Sequence, residues 1–147
     1  MQSAIERKFL IHTLPNLSTI EPISYEKRFI SLTQTTEIRV QKKWDIYQLQ
    51  RKVLVTQWDN TKQKRSITKE EFVQLKRSAI HTSPILRDTY KITPLLQICI
   101  YHGHNTWLIR AEVEFESQED ADKYVPELRM GEEITDEKAW RDRYLLS

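Results

Sequence analysis

Apolar and polar residues alternate one for one along most of this chain, in short stretches rich in β-branched and aromatic side chains. That period of two predicts strands with two unlike faces. Over residues 5–11, Ile5, Arg7, Phe9 and Ile11 fall on one face, with Glu6, Lys8 and Leu10 on the other. The pattern recurs over 23–32, 37–41, 46–55, 61–67, 85–92, 96–101 and 107–116, giving a mainly β chain of about eight strands. Links of a few residues, such as 34–36 and 42–45, predict antiparallel neighbours.

Helices interrupt the strands. Thr68-Lys69-Glu70-Glu71 is a capping box, in which the Thr hydroxyl and the Glu carboxylate each accept from a free backbone N–H. Phe72, Leu75 and Ala79 then form an apolar stripe. Ser117-Gln118-Glu119-Asp120 opens a second helix, with Ala121, Tyr124 and Val125 inside and Pro126 as its stop. A third short helix is expected over 137–144.

The charges follow the strand faces. Glu6, Lys8, Arg39, Lys52, Lys62, Lys64, Arg110, Glu112 and Glu114 fall on polar faces, opposite Ile38, Val40, Leu49, Val53, Ile109, Val113 and Phe115. An ordinary half-exposed sheet would turn those charges to water. An inside-out arrangement would close them round a wet lumen instead, and periodicity alone does not choose between the two.

Composition narrows the chemistry. A length of 147 residues fits a single domain spanning 1–147. The formal net charge of +2 predicts no basic face for duplex nucleic acid. With only two glycines, there is no Gly-rich phosphate loop, so side chains must hold any phosphate. Cys99 is the sole cysteine, which rules out an intramolecular disulfide and a cysteine metal cluster, and it reads as buried filler in a strand. The opening MQSAIERKFLIH lacks a signal-peptide layout and no apolar run reaches spanning length, so a cytoplasmic protein without membrane association is expected. His102 and His104 flank Gly103 in an expected surface turn, and Trp44, Trp58 and Trp107 near strand ends read as structural.

Ala4-Ile5-Glu6-Arg7-Lys8 resembles the Glu-x-Glu-x-Lys opening strand of the CYTH family, the triphosphate tunnel metalloenzymes. Further matches run in family order: Ile38-Arg39-Val40-Gln41 for Arg-x-Arg, Leu49-Gln50-Arg51-Lys52 for a later strand ending in Lys, and Arg87 for a basic residue after the first helix. Ala111-Glu112-Val113-Glu114-Phe115 resembles the family's Ala-Glu-Val-Glu-Phe strand, and Gly131-Glu132-Glu133-Ile134-Thr135 its closing segment.

The resemblance implies an eight-stranded antiparallel closed β-barrel with two or three peripheral helices, binding a triphosphate or polyphosphate. It implies Lys8, Arg39, Lys52, Arg87 and Arg110 as phosphate-binding residues, with Gln41, Lys62 and Lys64 as further candidates. Glu6, Glu112 and Glu114 are the implied ligands of Mg2+ or Mn2+, and with Lys8 the implied catalytic set. The chemistry agrees: a triphosphate carries about four negative charges, Arg offers forked donors and Lys a point charge. Hard divalent ions take carboxylate oxygens, and Glu112 and Glu114, two apart on a strand, sit about 6.5–7 Å apart along one wall. Family activities include hydrolysis of inorganic triphosphate, nucleoside triphosphates and thiamine triphosphate, and adenylate cyclisation. A homodimer is implied by resemblance only.

Departures weaken the acidic set. The first Glu of the opening signature is Ala4, the second Arg of Arg-x-Arg is Gln41, and the family's acidic pair before the first helix aligns with Lys62 and Lys64. Ile85 and Cys99 replace a Lys and an acid. Two functions are therefore expected: a metal-dependent triphosphate hydrolase, or a non-catalytic module that binds a polyphosphate or phosphorylated ligand.

Overall fold

The computed structural model describes residues 2–55, 59–80, 84–127 and 129–135. Among the described residues nine strands carry the fold: β1 Gln2–Ile11, β2 Ile23–Leu32, β3 Thr36–Lys43, β4 Ile46–Leu54, β5 Asp59–Ile67, β6 Ile85–Lys91, β7 Leu96–His102, β8 Ile109–Phe115 and β9 Met130–Glu133. Helix α1 covers Lys69–Leu75 and α2 covers Gln118–Lys123.

All strands join one sheet in the order β5-β4-β3-β2-β6-β7-β8-β1-β9, and β1 also pairs with β5. Every pairing is antiparallel. The length of β1 matters here. One edge of β1 meets β8 over residues 5–10. Its first half meets β5, from Gln2 opposite Lys62 to Ile5 opposite Asp59, and its last residues meet β9. The ninth strand corrects the expected eight. It comes from the Gly131 segment, whose few residues carry too little alternation to read as a strand.

The helices begin where expected and end earlier. Thr68 caps α1 as a full capping box with Glu71, and Ser117 caps α2 by accepting from the Asp120 N–H. After Leu75 the chain tightens into a 3-10 turn over Lys76–Ser78, so Ala79 lies outside the helix. Likewise α2 stops at Lys123, and Val125 is exposed rather than inside. Pro126 explains this: the residue before a proline is pushed out of helical geometry, and Tyr124 has already turned extended. The expected helix over 137–144 and Trp58 lie outside the described residues.

Two apolar clusters anchor the sheet. Phe9, Leu96, Ala111 and Val113 pack on the outer face, with Ile11, Phe115, Tyr124 and Met130 against them. Phe29, Ile85, Cys99, Tyr101 and Leu108 form the second. Arg7, on the apolar face of β1, acts as a clamp. Its guanidinium donates to both Glu133 carboxylate oxygens, at 2.9 and 2.6 Å, and to the carbonyls of Ala121 and Tyr124. One side chain thus ties β9 and the end of α2 to β1. Among the described residues no helix is long and apolar enough to cross a membrane.

Candidate anion-binding site

The strand register decides which side chains share the polar face. On β1 and β8, Glu6 stands opposite Glu114, Lys8 opposite Glu112 and Leu10 opposite Arg110. The same face continues through Gln97 and Cys99 of β7 to Arg87 and Thr89 of β6. Arg87 then faces Tyr25 on β2, which faces Lys43 on β3, while Lys27 faces Gln41. Arg39 stands opposite Gln50 on β4, Gln50 opposite Lys64 on β5, and Lys52 opposite Lys62.

This polar face is the buried one. Arg110 is 1% exposed and Arg39 is 3%, and Lys27, Glu37, Gln41, Arg87 and Glu112 are also buried. An ordinary half-exposed sheet would have left these groups in water, and here they are buried. Burying so many charges is costly unless they are paired or hydrogen-bonded. The contacts show how that cost is met. Glu112 lies 3.4 Å from Arg87 Nη1 and 3.9 Å from Arg110 Nη2, and it accepts from the Cys99 thiol. Arg39 donates to Gln50 at 2.8 Å and to Glu37 at 3.3 Å. Lys8 is 3.9 Å from Glu6.

Aromatic rings take part of the positive charge. Arg110 lies over the Tyr101 ring, and Arg87, Lys27 and Lys43 all approach the Tyr25 ring, with Arg87 nearest at 5.3 Å from its centre. Arg87 also donates to the Tyr101 hydroxyl.

The expected site residues thus fall on two walls. Glu6, Lys8, Arg110, Glu112 and Glu114 lie together on β1 and β8, and Arg87 reaches them through Glu112. Arg39, Gln41, Lys52 and Lys62 lie on β3, β4 and β5, with Lys64 more exposed. Tyr25, Lys27, Lys43, Glu37, Gln48, Gln50 and Tyr101 were not among the expected residues. Apart from Lys43, which lies in an expected link that β3 in fact covers, their parity was legible on expected strands, and only Gln50 falls inside a motif. Cys99 is buried on this face as filler, and its thiol is pushed up to about 11 by burial and by Glu112.

Protonation follows the crowding. Burial would raise the Glu6 carboxyl, but Lys52, Lys8 and Lys62 outweigh it and hold Glu6 below the usual range. Burial raises Glu114, and the charges of Glu6 and Glu112 raise it further. Lys8 is lowered by burial and by Arg110, against the pull of Glu6. Lys62 is lowered to about 7, first by burial and then by Arg39 and Lys52.

The donors for Mg2+ or Mn2+ are sparse. Among the described residues no three His, Cys, Asp or Glu side chains gather into a group that could hold a metal ion. Glu112 is engaged by two guanidinium groups and Glu6 by Lys8, so these carboxylates do not form a metal cage of their own.

No protein-family model matches the chain, and no curated protein matches it by sequence. Solved structures do match. The inorganic triphosphatase NE1496 superposes with a TM-score of 0.72 at 24% identity, over 99% of this chain and 95% of its own. A second crystal structure, of the hypothetical protein NE1496, gives 0.71 at 24%, covering 97% of each chain. A conserved hypothetical protein from Pyrococcus furiosus gives 0.55 at 19%, over 82% of this chain and 84% of its own. Likeness at this level of identity is one of fold. The chain has a CYTH-like fold, mostly antiparallel sheet with few helices, as its ordered motifs imply.

Proposed function

We propose that the pairing of β1 with β5 closes the sheet into a barrel, and that the enclosed polar face is a tunnel that binds inorganic triphosphate or a related linear polyphosphate and hydrolyses it. One observation carries this reading: buried basic side chains line the face from several strands and outnumber the carboxylates beside them. An anion offsets such a surplus, and a linear polyphosphate brings several charges in a shape a tunnel fits. The likeness to an inorganic triphosphatase supports the substrate class.

In this reading Lys8, Arg87 and Arg110 hold the phosphate that is attacked, while Arg39 and Lys52 hold the other end. Glu112 orients Arg87 and Arg110 through its ion pairs. Water attacks the terminal phosphorus, the bridging P–O bond breaks, and pyrophosphate leaves. Glu114, raised in basicity by burial and by its acidic neighbours, accepts the proton of that water. Glu6 and Lys8 keep the local charge near balance. Metal dependence is the part of the expected chemistry that this donor set supports least, so no step is assigned to Mg2+ or Mn2+.

A second reading keeps the tunnel and omits turnover. The basic residues Lys62 and Lys64 on β5 favour it, because they add to anion binding without adding a carboxylate that could hold a metal ion. Phosphate release from inorganic triphosphate separates the two, measured with Mg2+, Mn2+ or EDTA on the wild type and on Glu114→Gln. Release that falls at least about a hundredfold in Glu114→Gln supports hydrolysis. Binding without release under any condition leaves the binding module, and absence of binding refutes both.

A further inference from the structure

The sharpest charge conflict in the protein lies on the wall of β3, β4 and β5. Lys52 and Lys62 are direct cross-strand partners on one face. Opposite residues in an antiparallel pair carry Cβ atoms about 4.5–5.5 Å apart, and like charges so placed are destabilising. Arg39 adds a third cation to the same field, lying close enough to depress the Lys62 ammonium more than Lys52 does. Three carboxylates bear on the group, Glu37, Glu6 and Glu114. Glu37, opposite Lys52, is the ion-pair partner of Arg39, while Glu6 is shared between Lys8, at 3.9 Å, and the fields of Lys52 and Lys62. Lys64, one step along β5, is itself basic and lowered by burial, Lys43 and Arg39.

We infer that Lys52, Lys62 and Arg39 form a phosphate subsite that works without a divalent cation, the Lys62 ammonium supplying the positive charge that a metal ion would bring. The inference rests on the polyphosphate-tunnel reading and sharpens it. Gln50 and Glu37 hold two nitrogens of Arg39, so its fork is oriented before ligand arrives. Two lysine point charges beside a fixed guanidinium offer a terminal phosphate three cationic partners from three adjacent strands. A divalent ion at this place would meet the same three cations as repulsion, and Glu37 and Glu6 are already drawn to Arg39 and Lys8. Phosphate binding also removes the conflict between Lys52 and Lys62, so the strain of the empty wall becomes affinity.

Calorimetric titration with inorganic triphosphate tests this in two buffers, one with EDTA and one with Mg2+. The wild type is expected to bind in EDTA within about threefold of its affinity in Mg2+. Lys62→Met is expected to lose at least about tenfold in EDTA, the worth of one charge-assisted contact. Lys62→Glu places a carboxylate near Glu6, and its binding is expected to vanish in EDTA and return in part with Mg2+. Thermal melting of both variants confirms folding. Wild-type binding that disappears in EDTA and returns with Mg2+ overturns the metal-free subsite and leaves the tunnel standing. Unchanged affinity in Lys62→Met also overturns it. No binding in either buffer refutes the tunnel reading itself.

Discussion

Replacing Lys62 with Met is expected to stabilise the unliganded protein, by an amount that depends on pH in a defined way. The Lys62 ammonium is lowered from an ordinary 10.5 to about 7 in the fold. At about 1.36 kcal/mol per unit the difference corresponds to roughly 5 kcal/mol. Lys62 is only partly buried and its field is shared with Lys52 and Arg39, so screening reduces the expected effect to about 2–3 kcal/mol. The folded value is the lower one, so the unfolded chain holds this proton over the window from about pH 7 to 10.5 while the folded chain does not. The burden on the wild type is therefore complete below about pH 7 and fades as pH rises toward 10.5. Methionine is of similar length, carries no charge and titrates nowhere. Urea denaturation of both proteins in buffers free of phosphate and sulfate should show the variant more stable near pH 7, with the gap narrowing by about half near pH 9. A variant no more stable at neutral pH, or a gap that stays constant to pH 9, would refute the assignment of Lys62 to a crowded cationic wall.

Four other perturbations probe the remaining framework. Arg7→Met should cost about 2–4 kcal/mol in thermal or urea unfolding, because Glu133 and two carbonyls lose a shared donor; a loss below about 0.5 kcal/mol would show that the clamp is idle. The Glu133 carboxyl is held below its usual range chiefly by its hydrogen bond from Arg7, so its contribution is complete above the ordinary 4.5 and is lost as pH falls through the folded value. The stability difference between wild type and Glu133→Gln should accordingly shrink on acidification, and a difference that grows would contradict that sign. Trp44 holds a left-handed φ of 55° in the hairpin between β3 and β4 with its side chain half exposed, so Trp44→Gly should raise stability by up to about 1 kcal/mol in a denaturant melt. Glu112→Gln removes the carboxylate shared by Arg87 and Arg110, and should cost about 3 kcal/mol of stability and abolish phosphate release. Inorganic triphosphate should restore part of that stability in a thermal shift; no restoration would mean that the anion does not reach these guanidinium groups.

Local chemistry was legible in the amino-acid order, and so was face membership. Period-two alternation put Glu6 with Lys8, and Arg110 with Glu112 and Glu114, because successive side chains on a strand must point to opposite sides. The two capping motifs marked the helix starts, since a cap needs only residues within one turn. Helix ends were less legible: Val125 reads as an apolar helix residue, yet the proline after it forces extended backbone and leaves it in solvent. Which face is inside was a different kind of question. It turns on pairings between distant segments, β1 with β8 and with β5, and β2 with β6, that no local pattern encodes. Only those pairings turn the charged face inward and bury Arg110 and Arg39. The equally distant pairing of β1 with β9 sets Arg7 against Glu133, where a charge on the apolar face becomes a clamp. The conflict between Lys52 and Lys62 has the same origin. Two lysines ten positions apart look like ordinary surface charges until the β4–β5 register sets them side by side, where burial and Arg39 add to their conflict.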